Sequence, residues 1–293
     1  MNSNRILYIK LVLVALFFGS TFIAGHVIAA QVPPFTAAFL RFLTASLMLL
    51  YFVLRKEGTL PSVNLKQVGL FLLLGFSGMA GYNYFFFSGL SMIDASRASM
   101  IIAGNPVAIA LLSALVFGER LSFKKILGIL ISVSGALAIL SRGNFLSVLQ
   151  SGVERGDLYI LGCVGCWAVF TILGKFAMRD LTPLVVTLYA CLAGTATLFF
   201  LAFSERQFSF LLSYGPSVWI SVFVLGFLGT ALGFTWYYQG IDVLGSSNAG
   251  VFINFVPVFA TIMAVIILHE TLSWYFLLGA ALVISGVTLT NRG

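Results

Sequence analysis

Charge is what this chain lacks. Only 9% of its 293 residues are Asp, Glu, Lys or Arg, against about a quarter in an ordinary soluble domain, so its surface cannot face water throughout. Histidine is scarce, with two residues, and the three cysteines, Cys163, Cys166 and Cys191, all fall in apolar stretches. That argues against a disulfide framework, and Cys163-x-x-Cys166 reads as small packing residues rather than a redox pair or half a zinc cage. No His-Asp or metal-ligand constellation is there to support an integral-membrane enzyme, so neither metal nor cofactor is expected. The 16 Lys and Arg give a formal charge of +7, but they are scattered at the ends of apolar runs, and no basic stripe offers itself to nucleic acid.

What is abundant is apolar. Hydrophobic residues make up 60% of the chain, with 29 Phe and 29 Gly, and the mean hydropathy is +1.07. A bilayer-crossing helix needs roughly 20 apolar residues. Hydropathy places ten such runs, near 11–30, 34–54, 67–90, 95–117 and 124–140, then 157–177, 184–203, 217–240, 245–268 and 273–290. The expected fold is an all-α integral membrane protein of ten transmembrane helices. Its halves are residues 1–142 and 157–293, joined by the polar loop 143–156. The first run, preceded by Arg5 and Lys10 and closed by Ala29 and Ala30, also has the outline of a signal peptide, but the sixth run offers it a counterpart and it is kept as a span.

With the N-terminus inside, eleven of the 16 basic residues lie on the inner face and four on the outer, with Arg41 inside a span. The excess of positive charge therefore puts both termini in the cytoplasm, and a bacterial inner membrane is the expected location.

The sequence repeats itself. Sliding it by 151 residues pairs Gly75 with Gly226, Gly78 with Gly229, Pro106 with Pro257, Glu119 with Glu270 and Gly135 with Gly286, and positions 74–135 share 18 identities in 62. Nearer the N-terminus the shift is 149, pairing Gly25 with Gly174. Five spans per copy is an odd number, so the second copy enters the membrane from the opposite face and the repeats are inverted. The loop 119–125 carries Arg120, Lys124 and Lys125, whereas its counterpart 270–276 has no Lys or Arg, as opposite faces require. Two similar halves facing opposite ways suit alternating access to a central site.

Several residues could carry transport. Pro106 and Pro257 fall well inside the fourth and ninth spans, where each removes an amide donor and frees the carbonyl four residues back, at Ile102 and Ile253; they are candidate hinges. Asn105 and Asn254 put an amide beside each break. Gly75, Gly78 and Gly89, and Gly226, Gly229, Gly233 and Gly240, are spaced as one small-residue stripe per span. Tyr82 and Asn83 in the third span, Trp167 in the sixth, and Trp236 and Tyr237 in the eighth would supply a mixed aromatic and amide wall. Arg41, seven residues into the second span, is the costliest residue to bury, at roughly 2.5–3.5 kcal/mol. A carboxylate on the solute, a helix C-terminus or backbone carbonyls would each serve as its partner. Glu119 and Glu270 are expected to finish helix ends and pair locally. Arg41, Tyr82, Asn83, Asn105, Trp167, Trp236, Tyr237 and Asn254 form the candidate substrate-binding set.

These residues resemble a known family. Phe18-Gly19-Ser20, Arg41-Phe42-Leu43, Asn105-Pro106, Gly118-Glu119-Arg120-Leu121 and Gly128, echoed by Pro257, His269-Glu270-Thr271-Leu272 and Gly279, make the chain similar over its whole length to the EamA family of the drug/metabolite transporter superfamily. The resemblance implies a ten-helix bundle of two inverted repeats around a central cavity. It also implies export of amino acids, some of them aromatic, of related metabolites or of toxic compounds. The chain departs from the family's common Trp-Gly opening, with Phe18 in the first copy and Trp167-Ala168 in the second. The function expected is an exporter of amino acids or related small metabolites working by alternating access, with a small solute and the lipid bilayer as partners and a monomer or weak homo-oligomer as its state. A channel or facilitative pore is the nearest alternative, disfavoured by the want of a continuous polar path; a membrane enzyme is more distant.

Overall fold

The computed structural model describes residues 2–117, 122–140, 153–178, 181–206, 211, 213–244, 252–253 and 255–292. Among these every regular element is helical. The helices are α1 (Asn2–Ala29), α2 (Pro34–Glu57), α3 (Leu65–Leu74), α4 (Tyr82–Leu90), α5 (Ala95–Ile102), α6 (Asn105–Phe117) and α7 (Phe123–Leu140). After these come α8 (Arg155–Ala177), α9 (Pro183–Ser204), α10 (Pro216–Phe223), α11 (Gly233–Leu244), α12 (Val256–Ile267) and α13 (Trp274–Arg292). Two π-helical segments, Gly75–Gly81 and Val224–Leu232, fuse α3 to α4 and α10 to α11.

Local sequence explains the starts. Pro34, Pro183 and Pro216 open their helices, where proline's missing N–H costs nothing and its fixed φ is already helical. Asn64 and Gln67 close a reciprocal capping box on α3, with bonds of 3.0 and 2.9 Å. Ile6–Ala29, Pro34–Glu57, Leu65–Leu90, Ala95–Val116, Arg155–Gly174, Pro183–Ser204 and Pro216–Tyr237 are long and apolar enough to cross a membrane, and Val256–Ile267 and Trp274–Leu289 are shorter apolar helices. Large side chains such as Leu115, Phe200, Phe203, Ile266 and Leu278 point outward and are exposed, as a lipid-facing surface requires. The expected start of the ninth run and the 143–152 part of the expected linker lie outside the described residues.

Helix contacts rely on small residues, since lipid leaves no hydrophobic drive to bring apolar helices together. A Cβ on Gly135 would fall 2.7 Å from Gly279 O, and one on Gly286 would fall 2.6 Å from Gly128 O. α7 and α13 therefore cross backbone to backbone, running antiparallel. α2 and α9 also run antiparallel, meeting through side chains, with Phe39 beside Phe199 at 5.8 Å and Ser46 bonded to Thr195 at 3.0 Å. α1 runs antiparallel to α11, with Leu11 on Gly240 and Phe18 on Gly233, and α4 runs antiparallel to α8, with Gly89 on Ile160 and Phe85 on Gly162.

The expected small-residue stripes divide between two neighbours. Gly75 packs on Gly194 of α9, while Gly78 and Gly89 pack on Phe170 and Ile160 of α8; Gly226 packs on Arg41 O of α2, while Gly229, Gly233 and Gly240 pack on α1. Regular α spacing would keep each set on one face, but the π segment widens the turn, and one extra residue rotates the succeeding turns of helix by about 100°.

Both proline sites coincide with a break. α5 ends at Ile102, Ala103 and Gly104 form a turn, and α6 restarts at Asn105 with Pro106 second. α12 opens at Val256 with Pro257 second.

Candidate functional site

The centre of the bundle is a relay of aromatic rings that crosses from one half of the chain to the other. Tyr237 meets Phe18 at 6.4 Å, Phe18 meets Phe234 at 5.6 Å, Phe234 meets Trp167 at 6.3 Å and Trp167 meets Tyr82 at 5.6 Å. Tyr82 then stacks on Phe86 at 5.7 Å, which meets Phe22 edge-on at 5.5 Å. Tyr82, Trp167 and Tyr237 thus share one wall. Trp236 stands apart, against Phe17 at 5.7 Å and beneath the ammonium of Lys10 at 5.6 Å.

Beside this wall sits the buried guanidinium of Arg41. Its Nη1 donates to Asn83 Oδ1 at 3.0 Å and its Nε to Thr230 Oγ1 at 3.3 Å. Asn83 Nδ2 donates in turn to Met79 O at 2.9 Å, and Thr230 Oγ1 to Leu225 O at 2.8 Å. The cation's partners are neutral side chains, neither the helix terminus nor the backbone carbonyls that sequence reasoning also allowed. Both belong to the π-interrupted helices, where the widened turn swings a polar side chain toward α2.

Asn105 lies at the start of α6, and its Oδ1 is buried without a hydrogen-bond partner, as are Thr261 Oγ1 on α12 and His26 Nδ1 on α1. A buried polar atom left unmet costs about 1–3 kcal/mol. Asn254 and Glu119 lie outside the described residues.

Glu270 does not pair locally. It reaches across to α5, accepting from Ala95 N at 2.8 Å, Ser96 N at 3.1 Å and the Ser96 hydroxyl. Asp94, at the N-cap position of α5, makes no cap of its own. Glu205 does the same for α2, accepting from Phe35 N at 3.0 Å and from Thr36 N and Oγ1, both at 2.7 Å, because Pro33 has no side-chain oxygen to offer. A carboxylate on the exposed amides of a helix N-terminus satisfies orphan donors and complements the dipole. His269 beside Glu270 and Arg206 beside Glu205 both take a left-handed backbone, φ 57 and 55.

Arg97, near the start of α5, is buried and holds Asp157 through two bonds, 2.7 and 2.8 Å. A polar cleft of about 280 Å³ lies nearby, between Ser96, Arg97, Thr271 and Tyr275. Thr230, the two interhelical carboxylates and the Arg97–Asp157 pair are absent from the sequence-derived set. For the carboxylates a signal existed: α2 begins with Pro33-Pro34 and no capping side chain, so some distant acceptor was required.

Comparisons with known proteins agree with this architecture. The EamA-like transporter family matches residues 5–141 and 154–292. The uncharacterized transporter YyaM of Bacillus subtilis is 29% identical over 287 residues, covering 98% of this chain and 93% of the relative. A probable terminal-alkyne amino-acid exporter of Streptantibioticus cattleyicolor is 28% identical over 227 residues, 78% of this chain and 74% of the relative. One protein crystal structure superposes with a TM-score of 0.63 at 22% identity, over 98% of each chain, which speaks for the fold alone. An apolar helical bundle, matched along two successive stretches of nearly its whole length, identifies a membrane transporter that belongs to the EamA-like transporter family.

Proposed function

We propose that the protein exports amino acids or related small metabolites by alternating access, with two five-helix repeats of opposite sense forming ten spans around the aromatic wall. The observation that carries this reading is the antiparallel pairing of equivalent helices from the two halves. α2 with α9 and α7 with α13 are such pairs, and the α1–α11 and α4–α8 contacts are equivalent to each other. Inverted halves of similar structure have similar energies when their conformations are exchanged, and the exchange opens the centre to alternate sides. The Glu205 and Glu270 caps pin α9 to α2 and the chain after α12 to α5 at the same end of the bundle. Pro106 and Pro257 are the hinges, since a break without an amide donor bends at little further cost. The relative named as an amino-acid exporter supports the solute class. Both termini are assigned to the cytoplasm of a bacterial cell, from the charge asymmetry.

Two measurements test this. Vesicles reconstituted with the protein should show saturable uptake and counterflow of preloaded amino acid; flux that never saturates and lacks counterflow indicates a pore. In a cysteine-free background, Lys124→Cys and Thr271→Cys should react with an impermeant maleimide from opposite faces. Labelling from one face refutes the inverted arrangement.

A further inference from the structure

The Arg41 guanidinium carries a full charge that the protein does not neutralise. It has five N–H donors, of which Nε and Nη1 use one each, on Thr230 and Asn83. Neither acceptor is charged, and each has committed its own proton to a backbone carbonyl, at Leu225 and Met79. Arg41's hydrogen-bond partners among the described residues are Thr230 and Asn83, and neither is a carboxylate. Nη2 donates to no acceptor among the described residues, and Arg41 keeps 8% of its surface accessible.

The architecture does not need this charge. Counting by 149 and 151 residues, the equivalents of Arg41, Thr230 and Asn83 are Ala190, Met79 and Phe234. That second crossing, of α9 over the first π segment, is closed by Gly75 on Gly194 and Met79 on Gly194, with Cys191 buried close by. A polar triad appears at one of two equivalent crossings, and there it holds a guanidinium with its free edge available. Arginine's planar fork matches a carboxylate through two parallel hydrogen bonds, and such a bond is strongest where water is largely excluded.

We infer that Arg41 is the anion subsite of the transport pathway and that it takes the carboxylate of the solute, with Asn83 and Thr230 as positioning residues and the apolar remainder of the solute lying along Tyr82 and Trp167. This rests on the transport reading above and narrows its solute to acids.

The test uses pairs of probes that differ only at the carboxyl group: L-leucine against L-leucinamide, and L-phenylalanine against L-phenylalaninamide, with inorganic phosphate as a third arm. Thermal unfolding is followed on the full chain in detergent free of phospholipid. At least one acid should raise the melting temperature, as a ligand of the folded state must, while its amide and phosphate should not. Arg41→Lys, which keeps the charge but loses the fork, should weaken that acid at least tenfold. On the parent protein, phenylglyoxal should modify Arg41 as read by mass spectrometry, with the acid and not its amide protecting it, so the answer does not depend on the variant folding. Equal effects of acid and amide, a response to phosphate alone, no response to any acid, or unchanged affinity in Arg41→Lys overturns the proposal. An acid that binds through Arg41 but shows no counterflow would remove the transport reading and leave the subsite. Counterflow that is indifferent to Arg41→Lys would do the reverse.

Discussion

Asn83 faces two ways: its Oδ1 accepts from Arg41 Nη1 at 3.0 Å, and its Nδ2 donates to Met79 O at 2.9 Å, one turn back on the first π segment. The amide is thereby fixed in orientation, and with it the guanidinium. Asn83→Leu should destabilise the fold by about 1–3 kcal/mol, the cost of leaving a buried charged donor unmet, measured by thermal unfolding. Asn83→Asp should instead supply the missing negative charge. It is expected to lose the bond to Met79 O and with it any stabilisation by amino acids, since its own carboxylate occupies the cation.

Glu205 and Glu270 tie their own segments to distant helix starts, those of α2 and α5. Loss of such a cap typically costs about 0.5–2 kcal/mol, and distant sites add. Glu205→Ala and Glu270→Ala should each lower stability by that amount, and the double variant by their sum. In membranes, a cysteine placed at Ser217, which bonds Gln31 at that end of the bundle at 3.4 Å, should react faster with maleimide in either variant than in the parent.

Glycines of the same type should respond in opposite ways. A Cβ on Gly135 meets Gly279 O and the backbone of Val283 at 2.7 Å, whereas one on Gly165 in the middle of α8 meets nothing within 4 Å. Gly135→Ala should force α7 and α13 apart and cost about 1–3 kcal/mol. Gly165→Ala should be neutral or stabilising by about 0.5–1 kcal/mol, from helix propensity alone. Melting temperatures of the two variants check this directly.

The buried Arg97–Asp157 pair joins α5 to α8. Asp157→Asn should cost about 3–5 kcal/mol, because it takes the negative charge away from the two short bonds to a buried guanidinium. Replacing both residues, as Arg97→Met with Asp157→Leu, should recover most of that loss. A double-mutant cycle on thermal unfolding measures the coupling; additive losses would mean that each residue acts through other contacts.

Several contacts of the candidate site were legible in the order of residues. Arg41, Tyr82, Asn83 and Trp167 do come together, because an Arg, an Asn and large aromatics inside apolar helices have few places to go except the bundle interior. Pro106 marked a break because a missing amide acts locally, whatever surrounds it. Thr230 was not legible: a threonine in an apolar helix satisfies itself on its own backbone, so nothing in its neighbourhood announces a partner on α2. Trp236 was expected on the same wall as Trp167 but meets Phe17 and Lys10, since which side of a helix faces the centre changes after a π segment.

What the sequence by itself determined is the class of solvent, the helices and the duplication. Each arises from short-range terms, namely the transfer cost of polar groups into lipid, proline's geometry, and identities that recur at a fixed spacing. What only the tertiary structure decided is which polar groups meet: Glu270 on the start of α5, Glu205 on the start of α2, and Arg41 between Asn83 and Thr230. Those contacts join positions 42–189 residues apart. They depend on how far each helix is rotated about its axis, and that angle is set by two widened turns and by close glycine crossings, where one residue more or less re-aims every side chain beyond it.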